Sequence, residues 1–274
     1  MTLRIPATRR KALQTGLSTL AAAAVTSCNA LTMPKTSGET RVLFFGGDYI
    51  HNGVGQELFL RQTFSKSGFN LMFVQASHFI TPDVLRKTDL FILSRLGTHD
   101  VLGFSPSGIV GNRPAPDVFL PRETEDALVE NVLARGMGFI ALHATVRNPH
   151  KRKLMALLGS RPHQGSALQA VRFHDFNPVH PITQGFSDFD IAAEENQATD
   201  IIDPEVTILF KSLGLYDTRV NNAGWCIERG AGRVVALLAG HSNDAWAHPL
   251  YRQLHWRAAH WALRRDIPKF DMEG

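Results

Sequence analysis

Apolar residues in this chain follow two rhythms. Short unbroken runs, Arg41–Gly46, Asn70–Gln75, Asp89–Ser94 and Gly138–Leu142, read as strands buried on both faces. Between them the spacing lengthens toward a helical period. Val54–Ser67 carries Val54, Leu58, Phe59 and Phe64 and stops at Gly68, and a short helical link starts at Pro82. The clearest helix is Pro121–Arg135. Pro121 suits a first turn, Glu123, Glu125 and Asp126 complement the N-terminal dipole, and Leu128, Val129, Val132 and Leu133 form the expected buried stripe before Gly136. Strand–helix alternation predicts an α/β fold with a parallel sheet and right-handed crossovers. Later strands are expected at Gln169–Phe173, Thr207–Lys211, Gly224–Glu228 and Arg233–Ala239. An amphipathic helix, Pro249–Arg264, closes the chain through Leu250, Leu254, Ala258 and Trp261. Thr98–Leu120 has no periodicity and reads as a long loop. No repeat or linker composition interrupts residues 41–274, so one domain is expected there.

Charge changes the picture only at the N-terminus. The 274 residues carry a formal charge of +4, but Arg4, Arg9, Arg10 and Lys11 lie in a leader without acids. Without those four, 25 basic residues face 25 acidic ones, so no phosphate-binding field follows and nucleic acid is not an expected partner. "TRRKALQ" precedes the apolar stretch Ala12–Val25, too short for a comfortable membrane span, and Arg9-Arg10 resembles a twin-arginine export signal. Val25-Thr-Ser-Cys28 resembles a bacterial lipobox, with Cys28 as the lipidated residue. Residues 1–28 are therefore read as an export signal and 29–40 as a tether. That places the body in the periplasm, or on a membrane through a lipid anchor. Cys226 is the one cysteine left in the body, and its alternating surroundings predict a buried strand cysteine.

Candidate chemistry collects where ligands gather in parallel sheets, at the carboxyl ends of strands. Strand one is followed by Asp48, His51 and Asn52, strand three by Ser94, Arg95, Thr98 and His99. His143, Thr145 and Asn148 follow the Gly138–Leu142 strand, and His241, Ser242 and Asp244 follow the last one. His143 reads as a satisfied core histidine, a metal ligand or a general acid/base. As a ligand it needs partners from other segments, among them His51, His163, His241 and Glu194. The corner carries no G-x-S-x-G, and neither a G-x-G-x-x-G fingerprint nor a Walker A loop is present. On exposure alone Glu194-Glu195 read as a solvated turn, and Trp246 and Trp256 as core.

Taken in order, "RVLFFGGDYIHN", "GMGFIALHAT", "LLGSRPHQG", "HPITQGFSDFDIAAEEN" and "GAGRVVALLAGHSNDAW" resemble the successive motifs of the ThuA-like (trehalose utilisation) family over nearly all of 41–264. The most specific are His180–Phe186 and the Gly-Arg-Val…Gly-His-Ser segment. The resemblance implies a flavodoxin-like, class I glutamine amidotransferase-like three-layer sandwich with a mostly parallel central sheet, with His143 at the corner where those relatives carry a nucleophilic cysteine. It also implies a role in carbohydrate metabolism, including the processing of 3-keto-glycosides. One element departs from the family pattern: where an Asp-Glu-x-Tyr is usual the chain has Ala193-Glu194-Glu195-Asn196, so either the register slips by one and Glu194-Glu195 is the acidic pair, or the acidic site is altered.

The expectation is thus an exported enzyme acting on a sugar or glycoside, with His143, Glu194 and His241 as catalytic groups. Asp48, His51, Asn52, Thr145, His163 and Ser242 would contact substrate, and His51, His143 and His241 would hold one divalent metal ion. A homodimer is a further expected partner state. The rival is a non-catalytic sugar-binding lipoprotein.

Overall fold

The computed structural model describes residues 39–97, 104–105, 108–109, 119–148, 151–161 and 165–271. Expectations for the leader, for Cys28 and for His163, and most of the 98–120 loop, fall outside them. The described residues belong to one compact unit, Lys35–Gly274. Among the described residues no helix is long and apolar enough to cross a membrane.

The strands are β1 (Thr40–Gly46), β2 (Phe69–Val74), β3 (Leu90–Ser94), β4 (Phe104–Ser105), β5 (Gly108–Ile109), β6 (Gly138–Leu142), β7 (Ser160–Arg161), β8 (Leu168–His174), β9 (Phe189–Glu195), β10 (Asp200–Ile201), β11 (Thr207–Gly214), β12 (Val220–Arg229) and β13 (Gly232–Leu237). The helices are α1 (Gly53–Phe64), α2 (Pro82–Arg86), α3 (Arg122–Leu133), α4 (Arg152–Leu158), α5 (Asn243–Ala247) and α6 (Pro249–Ala262). Nine strands form one sheet in the order β2-β1-β3-β6-β13-β12-β11-β8-β9. Pairings from β2 to β13 are parallel, while those from β13 to β9 are antiparallel. The α/β expectation holds, but the sheet is mixed rather than mostly parallel. Its second half joins consecutive strands such as β11, β12 and β13 by short turns, which force antiparallel pairing.

Alternation along the parallel strands builds two cores. Val42, Phe44, Ile92, Ile140, Leu142, Val235 and Leu237 face one way and share a cluster with Trp246, Tyr251 and Leu254 of α5 and α6. Leu43, Phe45, Phe91, Leu93, Phe139 and Ala236, equally buried, face the other way. There α3 and α4 cover the sheet, and Trp225 Nε1 donates to Leu158 O at 2.9 Å to tie β12 to α4.

Two helix stripes differ from expectation. In α3, Val129 is only partly buried and Leu133 is exposed, whereas Glu125 and Asn131 face inward with Leu128 and Val132. The inward polar groups have work to do: Glu125 accepts the Leu154 N–H at 2.9 Å, and Asn131 bonds Ala127 O and the Arg135 side chain. In α1 the buried face carries Gln56, Leu60, Thr63 and Phe64, leaving Val54 and Leu58 exposed.

The sheet must also curl. Laid flat, β9 would lie four strand spacings, about 19 Å, from β13. Instead Glu194 on β9 bonds the backbone just after β13. Register shifts between β8 and β9 and between β11 and β12 mark where the strands bend.

Candidate functional site: a cluster of three histidines

Each imidazole is delivered by a loop leaving a parallel strand. After β1, Gly47 turns the chain at φ 77°, and Gly53 approaches so closely that a Cβ on Gly47 would lie 2.6 Å from its Cα. Asp48 then organises the loop. It accepts N–H bonds from Ile50 (2.8 Å) and His51 (3.0 Å), one from Leu96 beyond β3 (2.8 Å), and sits 2.8 Å from His51 Nδ1. Burial would raise the Asp48 carboxyl pKa, but the His51 ring and these N–H groups outweigh it and hold it below the usual range.

β6 ends at Leu142, and His143 opens a 3₁₀ turn (His143–Arg147) with φ 46°. The left-handed region costs a residue bearing a Cβ about 1–3 kcal/mol. This is the kind of strained strand-to-helix corner on which α/β hydrolases mount a nucleophile, here carrying an imidazole. Facing it is Gly240 at φ 133°, where an added Cβ would come within 3.1 Å of the His143 Cβ. The Gly240–His241 corner is held by Trp246 Nε1 donating to Gly240 O (2.8 Å) and by the Tyr251 hydroxyl donating to Ala239 O (2.7 Å).

The three rings then meet edge to face, with centroids 4.8, 5.1 and 5.4 Å apart. One ligand atom from each lies within 4.8 Å of the others. His51 Nε2 and His143 Nε2 are only 3.1 Å apart. Asp48 can only accept, so His51 Nδ1 carries hydrogen, and in the neutral ring Nε2 is then bare. His143 Nδ1 lies 3.1 Å from Leu238 O and 2.9 Å from Gln197 Nε2. If Nδ1 donates to the carbonyl, two lone pairs face each other across 3.1 Å; if it accepts from Gln197, a hydrogen fills the gap. Something positive must sit there, a proton or a cation. Two imidazole nitrogens each about 2.0–2.1 Å from a zinc-like ion stand about 3.0–3.4 Å apart, so the gap fits a metal. Burial, then the neighbouring His51, drives the His143 pKa well below the usual histidine value, leaving the neutral form that metals bind. His241 is shifted down by burial as well, and its buried Nδ1 has no hydrogen-bond partner.

Two carboxylates from β9 border the cluster and do different things. Far from lying in a solvated turn, Glu194 is wholly buried. Its oxygens accept N–H bonds from Gly240 (2.8 Å), His241 (3.1 and 3.2 Å) and Glu195 (2.8 Å). Burial pushes its pKa up to about 8 against those bonds. Glu195 faces the rings: Oε2 lies 3.8 Å from His143 Nε2 and Oε1 3.6 Å from His241 Nδ1. Arg147 (3.2 Å) and Gln197 (3.1 Å) donate to its Oε2.

The structure therefore brings together Asp48, His51, His143, Glu194 and His241. Asn52 and Ser242 stand beside the cluster as helix N-caps, accepting from Gly55 and Ala245. Thr145 is fully buried, donating to Leu93 O at 2.7 Å and accepting from Arg95 N, so its hydroxyl ties β3 to β6. Arg147 and Gln197 are not among the candidates the sequence offers, and Glu195 enters there only as one half of an acidic pair with Glu194. Arg147 has a usable signal, since it lies one turn past His143; Gln197 has none. Cys226 is buried beside His180, with its thiol pushed up to about 12 by burial, as the strand pattern suggested.

Buried histidines and two glutamates thus gather at the strand ends of a mixed α/β sheet. The family described as ThuA, trehalose utilisation, matches residues 41–262, and the chain belongs to it. The fold is similar to a ThuA-like protein from Parabacteroides merdae, with 17% identity, TM-score 0.63, and coverage of 85% of this chain and 93% of that one. A ThuA-like protein from Bacteroides uniformis shows 15% identity, TM-score 0.59, and coverage of 84% and 95%. A GMP synthase subunit from Thermoplasma acidophilum is similar at 9% identity and TM-score 0.51, with coverage of 84% and 96%. No curated protein matches the chain.

Proposed function

We propose that this chain is an enzyme acting on glycosides, in particular 3-keto-glycosides, and that its three histidines hold one divalent metal ion beside Glu195. The observation that carries the metal is the 3.1 Å approach of two Nε2 atoms, each ring backed on Nδ1 by a carboxylate or carbonyl as metal-bound imidazoles are. The carbohydrate class rests on family membership.

In a 3-keto-glycoside the C3 carbonyl acidifies the C2–H. Loss of that proton leaves an enolate, whose electron pair forms C1=C2 as the C1–O bond breaks. The departing oxygen takes a proton, from the protonated base or from water, and leaves as an alcohol. Glu195 is the base, because its carboxylate faces the cluster while that of Glu194 is consumed by backbone N–H groups. Arg147 and Gln197 orient Glu195, and Glu194 positions the Gly240–His241 corner. A bound metal would supply charge stabilisation for the enolate oxygen.

The parallel strand order β2-β1-β3-β6-β13 supports the finer reading of the fold as flavodoxin-like and glutamine amidotransferase-like. Export through the twin-arginine-like leader, with an anchor at Cys28, is part of the same proposal and rests on residue layout alone. The test is metal analysis of the purified chain with turnover of 3-keto- and ordinary disaccharides, before and after chelation. One ion per chain, with activity lost on chelation and restored by metal, is expected. Full turnover of 3-keto-disaccharides by a metal-free His143→Ala variant would sink the reading.

A further inference from the structure

We propose a second binding site at the opposite end of the parallel strands from the histidines, for a small organic anion with an aromatic or otherwise apolar body. A cavity of about 560 Å³ opens there between the start of β13, the end of α6 and the tail that follows it. The volume falls within the range of about 300–1,000 Å³ usual for small-molecule sites. One catalytic-end residue and one pocket residue bracket the same strand, since Arg233 begins β13 and His241 follows its end. Six residues of strand place the two sites about 20 Å apart.

The lining is cationic, and three of its four cations have no acidic partner among the described residues. Arg233 is neutralised by Glu228, at 2.9 Å. Arg257, Arg265 and Lys269 make no ion pair among the described residues, and Asp266, the carboxylate in the lining, pairs with none of them. Arg257 is the best placed. Its guanidinium lies 4.9 Å over the Phe186 ring, and NH1 donates to Gln184 O at 2.6 Å, fixing its plane. Half-burial lowers its pKa with no nearby acid to offset the loss of water. A guanidinium held flat with open N–H edges suits a carboxylate or phosphate. Trp261 and Phe270 supply the apolar wall for the rest of the ligand.

Positive side chains near a helix C-terminus often serve only to meet its carbonyls. Arg233 does that here, donating to Trp261 O. Arg257 does not: it lies inside α6 and reaches away to Gln184. The segment His180–Phe186 supports a site as well. It carries the most specific of the sequence motifs, yet it touches nothing in the histidine cluster and instead walls this cavity through Pro181 and Gln184, with Phe186 beneath Arg257.

The test is calorimetric titration of the whole chain at low salt with phenyl phosphate, benzoate, inorganic phosphate and phenol. Saturable binding of phenyl phosphate or benzoate is expected, and which of the two binds tighter separates a phosphate from a carboxylate ligand. Inorganic phosphate should bind about 10-fold more weakly or worse, phenol not at all, and added salt should weaken the interaction. Arg257→Gln should cost at least about 10-fold in affinity, the loss of one charge-assisted pair, while His143→Ala binds as the parent does. Should Arg257→Gln melt early, Arg265→Gln carries the same comparison. Binding lost in His143→Ala but kept in Arg257→Gln would place the anion at the histidines and overturn the proposal. So would no saturable binding of either aryl anion, or inorganic phosphate binding as tightly as phenyl phosphate.

Discussion

The two halves of the sheet build the site by different means. From β2 to β13 the strands run parallel, so every carboxyl end faces the same way, and the loops leaving β1, β6 and β13 deliver His51, His143 and His241. In the antiparallel half only alternate strands end on that face. β9 contributes Glu194 and Glu195 because the sheet curls until its far edge meets Gly240. The parallel half thus fixes the three imidazoles by topology, and the antiparallel half adds acidic side chains by long-range packing. Each half is separately breakable.

The largest effect should come from the parallel half. His143→Ala removes the imidazole at the left-handed corner after β6, and turnover should fall by about 10²–10⁴-fold, the scale of a lost acid/base group. Steady-state kinetics on a 3-keto-disaccharide, with metal content measured on the same sample, reads the outcome. Loss of activity with metal retained would move His143 from ligand to proton carrier.

A sharper probe sets the two carboxylates of β9 against each other. Glu195→Gln should lower kcat by about 10²–10⁴-fold with little change in melting temperature. Glu194→Gln leaves one oxygen acceptor where two now serve the N–H groups of Glu195, Gly240 and His241. It should cost about 1–3 kcal/mol of stability, seen as a lower denaturation midpoint, with the smaller loss of kcat. The reverse pattern would return the base role to Glu194.

That contrast also explains what could be read from sequence. A polar residue after an apolar run in a parallel sheet has its place dictated by topology, so Asp48, His51, His143 and His241 were legible as a set. The acids were less so. "FSDFDIAAEEN" alternates weakly, and nothing local says that β9 folds back over β13, so which of two adjacent glutamates faces the rings depends on the register with β8. The helix stripes of α1 and α3 failed for a related reason. Gln56, Glu125 and Asn131 are buried against distant segments, which period counting cannot see. Thr145 looked like a site hydroxyl by position, yet Leu93 O claims it.

His143 and His255 make a smaller comparison, two fully buried histidines of which one lies at a strand end and one inside α6. His255 sits between Trp246 and Tyr251, its Nε2 unpartnered, and burial lowers its pKa to about 3. The unfolded chain takes up that proton below about 6.5 and the folded chain does not until about 3. Folding is therefore progressively weakened as pH falls through that window, by about 2 kcal/mol at pH 5 from this residue. His255→Leu should flatten the loss of stability between pH 7.5 and 5 by about that amount in denaturant titrations. An unchanged slope would mean His255 is protonated within the fold.

The smallest expected effect bears on how substrate meets the parallel half. Asn52 follows His51 directly, and by position it reads as a substrate contact. Its Oδ1 accepts the Gly55 N–H at 3.1 Å as the N-cap of α1. A cap and a contact predict different losses. As a cap, Asn52→Ala should cost about 1 kcal/mol of stability, leave KM unchanged, and be largely restored by Asn52→Asp or Asn52→Ser, which cap as well. As a sugar contact it should raise KM about 5-fold or more, the worth of one hydrogen bond, and Asn52→Ser should not recover it because its hydroxyl is shorter by a full bond. Since the cap geometry already uses the oxygen, the first outcome is expected. Asn52 then belongs with Thr145 and Glu194 among the groups that hold the histidines in place, and the substrate must find its polar partners elsewhere on the rim.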